Sequence, residues 1–162
     1  MLMIKIKEYS DKYKKGIIDL ILNIQNNEFN ICITSDQQPD LHNIKDYYQT
    51  GCGNFWVAVK SGKVIGTISL IDIGDNQAAL RKMFVHQDYR GSTHSAAKYL
   101  LSELLKWSKS KSVKEIYLGT TSKFLAAHRF YEKNQFVEVN KSMLPKSFPV
   151  MEVDTKFYKL NL

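Results

Sequence analysis

The chain has 162 residues, 44% of them hydrophobic and 24% charged, with a formal net charge of +7. That length suits about one domain, and those proportions exclude a disordered chain, a collagen-like repeat or a coiled coil. No apolar run approaches the ~18–20 residues of a membrane-spanning helix, and the opening MLMIKIKEYSDKYKK alternates before turning charged, unlike a secretory signal, so a soluble cytoplasmic chain is expected.

Ile4 and Ile6 alternate with lysines, the pattern of a half-buried strand. From Tyr13 to about Glu28, the residues Ile17, Ile18, Leu20, Ile21 and Ile24 recur at helical spacing. Pro39 lies in a loop over 36–40, residues 41–48 predict a short helix, and Gly51-Cys52-Gly53 ends it. FWVAVK (55–60) and VIGTISLID (64–72) flank Ser61-Gly62-Lys63, a hairpin signal. Gly74-Asp75-Asn76 is a second turn, leading into a strand over 78–85. Ala97, Leu100, Leu101, Leu104, Leu105 and Ser108 then form one stripe of a long amphipathic helix. A strand over 115–118 ends at Gly119, a helix follows over 124–133, and strands over 136–139 and 148–160 flank a loop with prolines. With no repeat or low-complexity linker, residues 1–162 read as one domain. The element order predicts an α/β (α+β) fold with a mixed, mostly antiparallel central sheet flanked by helices.

Charge is unevenly placed. Residues 81–133 hold eleven Lys/Arg against four Asp/Glu, whereas residues 1–80 hold eight against nine. Such asymmetry points to an anionic partner, either nucleic acid or a small phosphate-rich ligand. A solvated basic helix face gives the same count. Cys32 and Cys52 have no CxxC or Cys/His ligand spacing and read as packing residues of a reduced chain. His42, His86, His94 and His128 form no HExxH or HxH pair, so no metal is expected, and His86, His94 and His128 read as exposed polar residues.

The joint between the 78–85 strand and the long helix, VHQDYRGSTHSAA (85–97), is the most specific feature. Backbone N–H groups at a helix N-terminus carry the positive end of the macrodipole, and small residues there let a phosphate approach. Arg90, Gly91 and the local cations favour an anion site, while Ser95 or Thr93 can equally serve as an N-cap.

MFVHQDYRG, KYLLSELLKWSKSK, KEIYLGTT and AAHRFYEKNQF, together about 78–139, resemble the acetyl-CoA core of the GNAT family of N-acetyltransferases. That family's loop is usually Gln/Arg-x-x-Gly-x-Gly/Ala. Arg90 matches its first position, and Ser95-Ala96-Ala97 takes its end if about two residues are inserted, a register that keeps the helix face continuous. The resemblance implies a GNAT acyl-CoA-binding fold with acetyl-CoA as acetyl donor and no metal. It lays the backbone of Met83, Phe84 and Val85 along the pantetheine and places Arg90, Gly91, Ser92, Thr93, His94, Ser95, Ala96 and Ala97 around the pyrophosphate. Phe124 stands where the family often has asparagine, and Gln135 replaces a common glycine, leaving Asn134 to take the left-handed cap.

The resemblance also makes Tyr131 the general acid. A phenol of pKa ~10 can protonate a thiolate whose conjugate acid lies near ~8.5. Read without it, Phe130-Tyr131 is an aromatic pair on a helix core face. No glutamate occupies Gln77-Ala78-Ala79-Leu80, where the family often carries its base. Glu28 leads the other acids, followed by Asp36 and Asp40, and none is assigned. Glu28 and Phe29 are the acceptor-side residues, and acids over 28–40 would suit a cationic amine. Phe29, Tyr47, Tyr48, Phe55 and Trp56 line an acceptor pocket or pack in the core. Arg90 contacts phosphate or ties its loop through Asp88.

The expected function is acetyl transfer from acetyl-CoA to a primary amine, on a small molecule or a protein, by direct attack without a covalent enzyme intermediate. One alternative is an acyl-CoA-binding sensor without turnover, given the missing base and altered loop. A nucleic-acid-binding module comes third, since the basic segment lacks stacking aromatics and a helix-turn-helix signature. The aromatic C-terminal strand can pair with a second copy as a homodimer or simply finish the sheet.

Overall fold

Alternation along one central strand divides the core into two layers. In β2 (Asn54–Lys60), Phe55 and Val57 point to one face of a sheet while Trp56 and Ala58 point to the other. The computed structural model describes residues 3–91 and 94–162. Its sheet adds β1 (Lys5–Glu8), β3 (Lys63–Gly74), β4 (Gln77–Val85), β5 (Glu115–Thr120), β6 (Val137–Val139) and β7 (Lys156–Asn161), in the order β1-β2-β3-β4-β5-β7-β6. Every neighbouring pair is antiparallel except β4 and β5. This is the mixed, mostly antiparallel sheet expected, with elements in the expected order.

Helices α1 (Lys14–Leu22) and α2 (Ile44–Tyr48) cover the first face, packing Ile17, Ile21, Ile44 and Tyr48 on Phe55 and Val57. Helix α3 (Ala96–Ser110) covers the second, burying Leu100, Leu101 and Leu104 against Trp56, Ala58, Ile68 and Ile116. Gly66 in β3 permits the close approach, because a Cβ there would lie 3.1 Å from Leu100 Cδ1. Helix α4 (Leu125–Lys133) adds Tyr131 to the same layer. Each fully buried leucine contributes about 1.5–3 kcal/mol. No described helix is long and apolar enough to cross a membrane.

Four local expectations change. The helix expected to reach residue 28 ends at Leu22 and widens into a π-type turn over Asn23–Glu28, where Phe29 N–H donates to Ile24 O at 3.1 Å. Asn26 drives this, since its amide bonds Leu22 O and Ile33 O while its own oxygen accepts from Ile33 N–H, pulling the chain back on itself. The last strand begins at Lys156 rather than 148, and the preceding stretch is a loop anchored by Phe148 against Phe157 and Tyr117. At the end of α4, Gln135 (φ 75°) takes the left-handed conformation instead of Asn134. In addition, β5 runs through Gly119 to Thr120 instead of stopping there.

Replacing Leu104, which is fully buried between α3 and the sheet, tests this layering. Leu104→Ala should cost about 2–5 kcal/mol of unfolding free energy, read by equilibrium urea denaturation.

Candidate active site

Strands β4 and β5 pair only at Gln77↔Glu115, Ala78↔Ile116 and Ala79↔Tyr117, and then part. On their outer sides each stays paired, β4 with β3 up to Val85 and β5 with β7 up to Thr120. The opening is therefore a cleft inside the sheet. Its walls are Leu80 to Phe84, Gly119 to Thr121, Phe124 and Tyr131, with Gln25, Ile31, Ile33 and Gln38 on one side and Phe148, Pro149, Met151, Val153 and Asp154 on the other. His86 N–H donates to Ile65 O of the β3 side at 2.8 Å. Alternation then turns the N–H groups of Val85 and Met83 toward the cleft, where Val85 O accepts from Arg90 Nε at 2.7 Å.

A bulge in β4 shapes the chemistry of this cleft. Thr67 faces Phe84 and Ser69 faces Arg81, so Ile68 alone is opposite both Lys82 and Met83. Lys82 takes φ 55° to absorb the extra residue. The freed carbonyls are satisfied from β3: Ser69 Oγ donates to Arg81 O at 2.7 Å and Thr67 Oγ1 to Lys82 O at 2.6 Å. In a regular strand Arg81 and Lys82 would face opposite sides; here both line the cleft. Arg81 donates to Tyr47 Oη (3.2 Å) and reaches Met151 Sδ (3.4 Å), with no carboxylate in ion-pair contact among the described residues. Lys82 donates to Gln38 Oε1 at 2.5 Å and stands 3.7 Å from Asp40 Oδ2, both side chains being 7% exposed. Burial pulls the Lys82 ammonium down to about 8, against the opposing pull of Asp40.

A half-buried acid also faces the cleft. Asp154 accepts from Met151 N–H through Oδ2, and burial raises its carboxyl above the ordinary value despite Arg81 and Lys82 nearby. Gly119 makes room for it, because a Cβ there would lie 2.6 Å from Asp154 Oδ2. Tyr131 is both core and cleft residue: it is buried against Phe136 and Tyr158, it lines the opening, and its hydroxyl has no hydrogen-bond partner among the described residues. Desolvation pushes its pKa up, keeping the phenol protonated.

The loop after β4 is partly as expected. Gly91 has φ 91° with open space around it, Ser95 is left-handed at φ 55°, and α3 opens at Ala96 with Ala97 beside it. The first-turn amides of Ala96, Ala97 and Lys98 lack intrahelical acceptors. His94 packs edge-on to Tyr89. Ser92 and Thr93 lie outside the described residues. Arg90 forms a two-pronged ion pair with Glu28 rather than with Asp88. Glu28, the leading acid from sequence, is thus engaged, and Phe29 packs on Phe124, which touches Phe84 in turn. Asp36 is exposed, and Asp40 lies behind Lys82, accepting from Tyr48 Oη at 2.5 Å. Tyr48, Phe55 and Trp56 are core residues, whereas Tyr47 sits beside Arg81. His128, expected to be exposed, is buried and bonds Thr121 O at 2.9 Å. Among the described residues no cluster of His, Cys, Asp or Glu is placed to hold a metal ion.

An open parallel strand pair, helix-end amides beyond it and a phenol lining the gap define an acyl-CoA-dependent transferase. The model of the acetyltransferase (GNAT) family matches residues 18–136, and the chain belongs to that family. It is similar to an acetyltransferase of the GNAT family from Staphylococcus aureus Mu50, at 44% identity over 98% of both chains with a TM-score of 0.93. It is 38% identical over 102 residues to the N-acetylaspartate synthetase of Xenopus tropicalis, a match covering 62% of this chain but only 37% of that protein. The PaiA N-acetyltransferase of Thermoplasma acidophilum, solved in complex with coenzyme A, shares the fold at 18% identity, with 98% of this chain and 99% of that one covered and a TM-score of 0.75. The protein is accordingly a GNAT acetyltransferase.

Burial of Lys82 has a consequence in solution. Its folded pKa lies below that of the unfolded chain, so between about 8 and ~10.4 the unfolded state binds more protons and stability rises with pH. Urea unfolding at about pH 7.5 and about pH 9.5 should show a rise of order 1 kcal/mol from this group that Lys82→Met removes.

Proposed function

We propose that the protein transfers the acetyl group of acetyl-CoA to a primary amine that attacks the thioester directly. The observation carrying this reading is the parting of β4 from β5 beyond Ala79 and Tyr117, with Tyr131 lining the gap. Acetyl-CoA brings an activated acetyl group on a thiolate leaving group. The amides of Met83 and Val85, turned to the open side, donate to the carbonyl oxygen as negative charge builds there. Phe84 packs along the same edge. Gly91, the helix-end amides of Ala96 and Ala97, and the neighbouring Ser92, Thr93, His94 and Ser95 hold the pyrophosphate.

Proton traffic follows from burial. The new N–C bond forms as the C–S bond breaks, and Tyr131 Oη gives its proton to the departing thiolate. The desolvation that raises the phenol also raises a thiolate's basicity in the same cleft, so the two stay matched. The amine's proton passes to Asp154, whose raised carboxyl suits a base. That acid would supply the base whose absence favoured a sensor without turnover, and the altered loop stays as that reading's support. Neither cysteine fits a covalent route: neither lines the cleft, and burial pushes the Cys52 thiol up to about 11.

Titration calorimetry with acetyl-CoA, followed by thiol release across amines that include aspartate (after the relatives' name), spermidine and a lysine peptide, tests the reading. Binding and turnover of at least one amine are expected, and absence of both would overturn it. Tyr131→Phe should lower kcat by about 10²–10⁴-fold with the acetyl-CoA Kd unchanged. Because the hydroxyl has no hydrogen-bond partner among the described residues, stability should stay within about 0.5 kcal/mol. A kcat within twofold of the parent would place the acid elsewhere.

A further inference from the structure

We propose that Arg81 and Lys82 form the carboxylate-binding half of the acceptor site, and that the acceptor is a short amine bearing a carboxylate, an amino acid, in preference to a polyamine or a protein lysine. This rests on the acetyltransferase reading above and adds the acceptor class, together with the residues that select it.

The bulge is the first support. It costs a left-handed φ at Lys82, a non-glycine residue, and its result is two consecutive cations on one wall of the cleft. Two β3 hydroxyls hold it in place, so the pair is built in rather than a chance rotamer.

Counterion arithmetic is the second. A largely desolvated guanidinium favours a carboxylate in direct contact, and among the described residues Arg81 hydrogen-bonds a phenol and a thioether, while Asp40 and Asp154 act on it only through space. Lys82 shares Asp40 at 3.7 Å but sits closer to the neutral Gln38. Gln38 is locked in turn by reciprocal amide bonds with Gln25, at 2.9 and 3.2 Å. Planar guanidinium groups prefer two-pronged contact with a carboxylate. A polycation entering here would meet Arg81 and Lys82 on this wall, with Asp154 as the acid lining the cleft among the described residues.

Reach is the third. Lys82 is adjacent to Met83, whose amide faces the opening, and one residue of strand rises only ~3.3 Å. A carboxylate held at residues 81–82 leaves an amine one to three bonds away beside the reacting carbonyl. Asp154, lining the same cleft, receives the ammonium's proton.

The test compares kcat/KM for aspartate, glutamate and glycine with spermidine, a lysine peptide and the corresponding amino acid amides, in wild type, Arg81→Gln and Lys82→Met. Amino acids should lead, and each variant should raise their KM by about 10–100-fold, the range of a lost charge-assisted hydrogen bond. Turnover number should change by less than about fivefold, and acetyl-CoA affinity, read calorimetrically, should be unaltered, which also reports folding. Arg81→Glu provides a second check: it should move preference toward amino acid amides and diamines. Spermidine or the peptide outperforming every amino acid would overturn the proposal while leaving the acetyltransferase reading intact, as would unchanged KM in both neutral variants. Failure to bind acetyl-CoA or to acetylate any amine would sink both.

Discussion

Much of this molecule follows from how β4 is paired. On one side it must keep its ladder with β3, and on the other it is released from β5 after three residues. A strand free on one edge carries N–H groups that no protein acceptor claims, which is costly when buried and useful when a ligand supplies the missing partner. The bulge at Lys82 works on the same strand from the other edge. By inserting one residue opposite Ile68 it rotates the side-chain alternation, so the cleft receives Arg81 and Lys82 as well as the backbone edge that follows. Two devices within one short strand thus place a hydrogen-bonding edge and a cationic wall side by side.

The elements were legible because they obey simple periodicities. The α3 stripe of leucines and the alternation of 55–60 each name their buried face directly, and both layers formed as the pattern required. The helix-opening loop was legible for its small residues. What escaped was whatever depends on partners far along the chain. Nothing in ALRKMFV marks which residue will take a positive φ; that depends on Thr67 and Ser69, which lie in another strand. Asp154 was hidden for a similar reason, since residues 148–155 carry enough aromatic and branched residues to look like strand, and only Gly119 across the cleft explains where the carboxylate settles. The adjacent Arg and Lys in an otherwise apolar strand were the one available signal, because two neighbouring charges in a buried strand demand an explanation.

The basic excess of residues 81–133 divides into unlike parts once placed. Arg81 and Lys82 face the cleft, Arg90 is spent on Glu28, and Lys106 pairs with Glu103. Lys98, Lys109, Lys111 and Lys114 are exposed on or after α3. Net charge alone left an anionic partner and a solvated basic face undivided. The structure separates a surface contribution, screened within about 10 Å at ordinary ionic strength, from two cations removed from water, whose effect salt weakens far less.

The Glu28–Arg90 pair gives the two halves of the site a common strut. Glu28 ends the π-type turn, the same segment that supplies Gln25 to the acceptor wall, while Arg90 belongs to the loop that leads into α3. Arg90 also holds Val85 O, so one guanidinium ties the π-type turn, the open end of β4 and the loop into α3 together. Phe29, Phe124 and Phe84 stack edge-to-face along the same line, and Arg90 lies 6.0 Å from the Phe29 ring centroid. Where Phe124 stands, related enzymes often carry an asparagine that bonds the cofactor. Here that position is apolar and contributes to a packed seam instead. The trade is physically coherent: a hydrogen bond to a ligand acts only when the ligand is present, whereas a seam joining the acceptor segment to β4 keeps the cationic wall aligned with the reacting edge before either substrate arrives.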